Sequence, residues 1–117
     1  MTRKGPARLD LLQGTLDLII LRTLSAGVQH GHAIAKHIRR TSEELLKVET
    51  GSLYPALHRL EAKGWISAEW ALSDKGKRAR YYRLTASGRR QLESEQLKWH
   101  AFARALGLIL KPAEEAP

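Results

Sequence analysis

Between positions 50 and 64 the chain reads Thr-Gly-Ser-Leu-Tyr-Pro-Ala-Leu-His-Arg-Leu-Glu-Ala-Lys-Gly, and its apolar and polar residues separate at helical spacing. Leu53, Leu57 and Leu60 share one face, whereas Gly51, Ser52, Pro55, His58, Arg59 and Ala62 share the opposite one. A face of small, polar and cationic side chains suits close approach to a grooved polyanion. The Arg59 fork matches guanine O6 and N7 or a phosphate. Ser52 and the amides at the helix start suit a phosphate, and Tyr54 at the flank can bring its hydroxyl to a sugar-phosphate backbone. The alternative for Tyr54 and Pro55 is that they only shape the helix start. Thr50 or Ser52 is expected to cap this helix, Pro55 to lie near its first turn, and Gly64 to end it in the left-handed conformation.

A second set of reactive charges follows. The chain carries a net charge of +8, and from Ser73 to Arg90 seven cations (Lys75, Lys77, Arg78, Arg80, Arg83, Arg89 and Arg90) face one anion, Asp74, so +6 of the +8 lies in one short stretch. Concentrated Lys and Arg attract polyphosphate through counterion release. A solvated basic face without a partner is the ordinary alternative for a charge run. Lys75, Lys77, Arg78 and Arg80 fall in and beside a turn, from which they can reach phosphates or a minor groove. Arg83 has two readings, DNA contact or an ion pair with Glu69.

Other chemistries find little support. The absence of cysteine removes thiol catalysis, disulfides and cysteine-based zinc sites, and it fits a reducing cytoplasm. His30, His32 and His37 lie close in sequence but have no Asp, Glu or Cys beside them, so neither metal nor cofactor is expected. Nothing resembles a nucleophile elbow, a phosphate loop or a catalytic carboxylate pair, so no catalytic residue is assigned and the chain is not expected to be an enzyme. No run approaches the roughly 18 apolar residues of a membrane span, no apolar signal segment opens the chain, and no membrane partner is expected.

These sets need elements to hold them. Residues 1–8 form a basic arm without periodicity. A broad stripe of Leu12, Leu16, Ile19, Ile20 and Leu24, widened by Leu18 and Leu21, predicts a first helix over 9–26 buried on more than one side. Gly27 ends it and His30-Gly31 makes a turn. A second helix over 31–41 points Ile34 and Ile38 inward and Lys36, Arg39 and Arg40 outward, and a connector over 43–49 tucks Leu45, Leu46 and Val48 under the domain. After the third helix, 65–72 and 79–84 alternate as strands around a hairpin turn at Asp74-Lys75-Gly76-Lys77. On those strands Ile66, Ala68 and Trp70 share one face, and Tyr82 shares a face with Leu84 and reads as core. Thr85 caps a fourth helix that stops at Lys111-Pro112. The order helix, helix, helix, hairpin, helix is a mainly α, α+β winged helix-turn-helix domain over 9–85, followed by a dimerisation helix over 86–111 and a frayed tail over 112–117. The fourth helix carries Leu92, Gln96, Trp99, Phe102, Ala103, Leu106 and Leu110 at spacings of three and four. This seam of roughly 25 residues is too long for so small a domain to cover, and a second copy is its expected cover.

The segments Gly14-Thr15-Leu16, Gly31-His32-Ala33-Ile34-Ala35, 51–61, Gly64-Trp65-Ile66 and 81–88 resemble the PadR family of bacterial transcription regulators, and together they extend over most of residues 12–97. Leu-Tyr-Pro-Ala-Leu combined with Tyr-Tyr-Arg-Leu-Thr and a downstream Gly carries the specificity. His32 stands where the family usually has Tyr. The resemblance implies a homodimeric repressor that binds an inverted-repeat double-stranded DNA operator and is often released by a small molecule. For Trp99 and Phe102 two readings stay open, an aromatic anchor of the dimer interface or a stacking site for a planar aromatic effector. The rival from another class is a winged-helix adaptor that senses a ligand or protein and acts mainly through partner binding.

Overall fold

The computed structural model describes residues 13–112. The basic arm at 1–8, the expected helix start at 9–12 with Leu12, and residues 113–117 lie outside the described residues.

Helix α1 (Gln13–Leu24) turns Leu16, Ile20, Leu21 and Leu24 into the core and leaves Leu18 and Ile19 half-buried, because it packs on α2 and α3 on one side and on α4 on the other. It stops two residues before the expected end. Its last turn tightens there, with the Ala26 and Gly27 amides donating to the Thr23 and Leu24 carbonyls three residues back. The expected turn at His30-Gly31 is instead a two-residue strand, β1 (Gln29–His30), which runs directly into α2 (Gly31–Thr41). Two residues are too few for alternation to register in sequence. His30 begins α2 as its cap, its Nδ1 accepting from the Ala33 amide at 3.1 Å.

Ile34 and Ile38 of α2 are buried. In the connector, Val48 is buried and Leu46 half-buried, but Leu45 is 54% exposed, against the expectation that it tucks under the domain. It follows directly on Glu43 and Glu44, both in the left-handed region (φ 53° and 70°), where the chain reverses. Helix α3 (Thr50–Ala62) then buries Leu53, Ala56, Leu57 and Leu60. Each of those leucines contributes about 1.5–3 kcal/mol by leaving water. The helix ends in a Schellman motif at Gly64 (φ 77°), the Gly64 amide donating to the Glu61 carbonyl and the Trp65 amide to that of Leu60.

Strands β2 (Ile66–Leu72) and β3 (Arg78–Leu84) pair antiparallel, Ile66 opposite Leu84 and Leu72 opposite Arg78, and β1 joins the other edge of β3, giving the order β1-β3-β2. At the turn, Gly76 takes φ 76° and its amide donates to the Ser73 carbonyl. The inward face begins with buried Ile66, Tyr82 and Leu84 and continues past the edge of the core, where Trp70 is 56% exposed. Helix α4 (Ala86–Ile109) is capped by Thr85, whose hydroxyl accepts from the Gly88 amide and donates to the Gly64 carbonyl. A Cβ at Gly88 would overlap the Trp65 backbone carbonyl, so glycine is what lets α4 start against the α3–β2 corner.

Beyond Leu92, α4 has no further fully buried residue. Trp99, Phe102, Leu106 and Leu110 are all exposed, while Gln96 and Ala103 are half-buried. The radius of gyration of 16.9 Å exceeds the ~13 Å of a compact domain of about 100 residues, as a projecting helix requires.

Candidate nucleic-acid interface

Helix α3 presents Gly51, Ser52, Pro55, His58 and Ala62 to solvent as one exposed row. Its N-cap is Glu49, with no side-chain capping bond, so neither Thr50 nor Ser52 caps it as expected. Pro55 lies at the sixth helical residue rather than in the first turn, and having no N–H it leaves the Gly51 carbonyl without its intrahelical donor. Tyr54 is partly exposed, and its ring lies over Gly31 so closely that a Cβ there would collide with the phenol. The close approach seats the start of α2 against the start of α3.

Two of the expected DNA-contacting cations are committed within the fold. Arg59 Nη2 donates to Asp17 Oδ1 of α1 at 2.7 Å, and Arg80 Nη2 donates to Glu61 Oε2 of α3 at 2.7 Å. The Nε of each guanidinium is buried and has no hydrogen-bond partner among the described residues. The first pair ties the recognition helix to α1, and the second ties the wing to the recognition helix. Asp17 was not singled out in sequence, although it is the one acid in the leucine- and isoleucine-rich α1. Arg83 stands opposite Ser67, and no ion pair with Glu69 forms among the described residues.

Lys75, Lys77 and Arg78 are exposed at the wing tip. The Arg78 and Arg80 guanidinium carbons lie 5.0 and 6.0 Å from the Trp70 ring centroid. The helix-turn-helix corner gathers a further basic concavity, about 480 Å³ and lined by His32, Lys36, Arg39, Arg40, Lys47 and Thr50 among others. Sequence inspection placed Lys36, Arg39 and Arg40 outward but not Lys47, which the left-handed reversal at Glu43 and Glu44 brings to the same side. Arg39 there is held by Glu44 at 3.0 Å.

Behind the interface, a cavity of about 660 Å³ opens between α1, the end of α2 and α4, lined by Leu18, Ile19, His37, Gln96, Trp99 and His100 among others. Trp99 belongs to it. Phe102 is not among its lining residues and meets Trp99 edge-on, with centroids 6.5 Å apart. Among the described residues there is no group of three or more His, Cys, Asp or Glu side chains arranged to hold a metal ion, and no helix is long and apolar enough to cross a membrane.

A three-helix core, a basic two-stranded wing and an exposed third-helix face define a winged helix-turn-helix protein. The sequence matches the model of the transcriptional regulator PadR-like family over residues 20–94, and the chain belongs to that family of DNA-binding, non-catalytic regulators. It is 32% identical over 108 residues to an uncharacterized protein X of Lysinibacillus sphaericus, a match covering 92% of this chain and 98% of the relative. A transcriptional regulator of Mycobacterium tuberculosis is 34% identical over 95 residues, covering 81% and 85%. The solved structure of a transcriptional regulator from Clostridium thermocellum superposes with a TM-score of 0.77 at 31% identity, covering 85% of this chain and 96% of that one.

Proposed function

We propose that the chain is a homodimeric, sequence-specific repressor acting in the cytoplasm, with each copy placing α3 in the major groove of one half of an inverted-repeat operator. The observation that carries this reading is the exposed row Gly51, Ser52, Pro55 and His58 on a helix that Arg80 and Glu61 tie to a wing whose tip exposes Lys75, Lys77 and Arg78. Small residues in the row allow the backbone to approach base edges, and Tyr54 and Ser52 lie where phosphates would flank the groove. Lys36 and Arg40 extend the basic surface along α2. Arg59 and Arg80 serve as tethers that fix the angle of α3 relative to α1 and the wing.

The dimer reading is supported by the α4 seam, whose Trp99, Phe102, Leu106 and Leu110 are left in water by the single copy. A mate that covers them would also set the separation of the two α3 helices, which must match about one DNA turn. The α1–α4 cavity supports a further reading, release by a planar aromatic effector stacked on Trp99, because its volume suits a small ligand and α1, one of its walls, carries the Asp17 end of a tether. Such a ligand must bind the non-operator arrangement more tightly than the operator-bound one.

Selection of duplexes from a random-sequence pool, followed by footprinting, tests the reading. Enrichment of a two-fold symmetric sequence supports it, and a pool that stays random through successive rounds contradicts it.

A further inference from the structure

The wing carries more than charge. Leu72 and Trp70 are 68% and 56% exposed, and both lie on the sheet face that begins at Ile66 and Leu84 in the core. That face looks toward α3, since Arg80, which pairs with Trp70 across the hairpin, reaches back to Glu61. Arg78 stands opposite Leu72 and lies over the Trp70 ring, so the two large apolar side chains are framed by guanidinium groups on one side and by Lys75 and Lys77 at the turn. Single exposed hydrophobic residues are ordinary. A leucine on the same strand face as a tryptophan that lies under two guanidinium groups, at the end of a ribbon anchored to α3, is a different arrangement.

The charge around this patch selects its occupant. With Arg80 neutralised by Glu61, Lys75, Lys77 and Arg78 against Asp74 still disfavour a cationic or neutral protein surface and favour a polyanion that offers an apolar slot between two rows of charge. A duplex minor groove, about 6 Å wide with phosphates along both rims and stacked bases at its floor, has that form. Apolar side chains that enter it partly unstack a base step and kink the duplex toward the major groove by about 20–90°. With α3 in the major groove, a ribbon of seven-residue strands, about 20 Å long, reaches the neighbouring minor groove.

We propose that Leu72, supported from behind by Trp70, is a wedge that the wing inserts between two base pairs from the minor groove, so that this regulator bends the DNA it binds. The proposal rests on the DNA-binding reading above and adds to it a deformation and the residue that causes it. Arg78 has a double part, neutralising a rim phosphate and lying over the tryptophan beside the leucine, while Arg80 stays on Glu61.

The test uses the full chain and the duplex it enriches from the random pool, placed at permuted positions in fragments of constant length. Wild type should retard these fragments according to site position, reporting a bend of tens of degrees. A 2-aminopurine at the step under the wing should brighten on binding, as an unstacked base does. Leu72→Ala should lose both signals while folding normally, since the position is exposed, and its affinity should change by no more than about tenfold, because the lost contact and the avoided unstacking cost, each a few kcal/mol at most, offset each other. Leu72→Lys separates wedge from charge: it adds a cation, so affinity holds or rises, yet bend and 2-aminopurine signals should vanish. A wild-type complex that leaves the selected duplex straight, or a bend that survives both substitutions, overturns the wedge and leaves the DNA-binding reading standing. If wild type enriches no duplex, the two fall together.

Discussion

Arg59 shows how a residue's role depends on what it meets in space. From sequence it faces outward on α3 and suits a guanine edge or a phosphate; in the fold its guanidinium bonds Asp17 at 2.7 Å, with side-chain exposures of 33% and 15%. Breaking a fully buried pair costs about 3–5 kcal/mol, and the water still at Arg59 lowers this to about 1–3 kcal/mol. Arg59→Ala and Asp17→Asn should therefore both reduce stability by about that amount in urea melts, and both should weaken binding to selected and random duplexes alike. If Asp17→Asn binds the operator as well as wild type while Arg59→Ala loses preference at one base, Arg59 is a reader and the tether assignment is wrong. Tyr82 gives a second test. Burial pushes its hydroxyl above the ordinary value of 10.0, a shift opposed by the nearby Arg80 charge and reinforced by those of Glu61 and Tyr54. The folded state then holds the proton more tightly than the unfolded one. Its contribution is intact below about pH 10 and is lost as pH rises through the raised folded value. Melts between about pH 9 and 11 should show this fall in wild type and a shallower one in Tyr82→Phe; equal slopes would mean that Tyr82 ionises freely in the fold.

Elements were legible where their period was long and their ends carried chemistry. Helix α2 has the expected bounds, α4 starts at the expected Thr85 cap and stops one residue short of Lys111-Pro112, and Gly64 and Gly76 take the left-handed conformations their positions demanded. The row Gly51, Ser52, Pro55 and His58 is exposed as the helical spacing predicts. What could not be read is long-range. Strand β1 exists because β3 offers it an edge, and the pairing of Asp17 with Arg59 across 42 residues depends on how α1 crosses α3. The cap of α3 at Glu49 likewise follows from the path of the connector, which the left-handed Glu43 and Glu44 set. Helix α4 carries the strongest expectation at this scale. Leu106 is 41% exposed and spaced with Trp99 and Ala103 along one seam. Leu106→Glu would place a charge in the proposed dimer contact and should leave the protein as monomers of unchanged helix content. Sedimentation equilibrium decides it, since a wild type that is already monomeric, or a variant that still dimerises, would remove α4 from the interface.

At the scale of the molecule, the tethers make one mechanical unit of the parts. Leu18, beside Asp17, lines the α1–α4 cavity, Asp17 holds Arg59 on α3, and Glu61 on α3 holds Arg80 on the wing. In the proposed dimer, a change in how α4 meets its mate would reach α3 and the wing through packed side chains and two ion pairs, a repacking between discrete arrangements rather than a gradual deformation. Two copies joined through α4 are proposed to read one symmetric duplex. The most direct measurement is a stoichiometric and equilibrium titration of the selected duplex and of a scrambled duplex of equal length, followed by fluorescence anisotropy at several salt concentrations. Two chains per selected duplex are predicted, with half-sites about 10 base pairs apart and a preference of at least about 4 kcal/mol over the scrambled duplex that persists as salt rises. One chain per duplex, or equal affinity for both sequences that falls away together with salt, would contradict it.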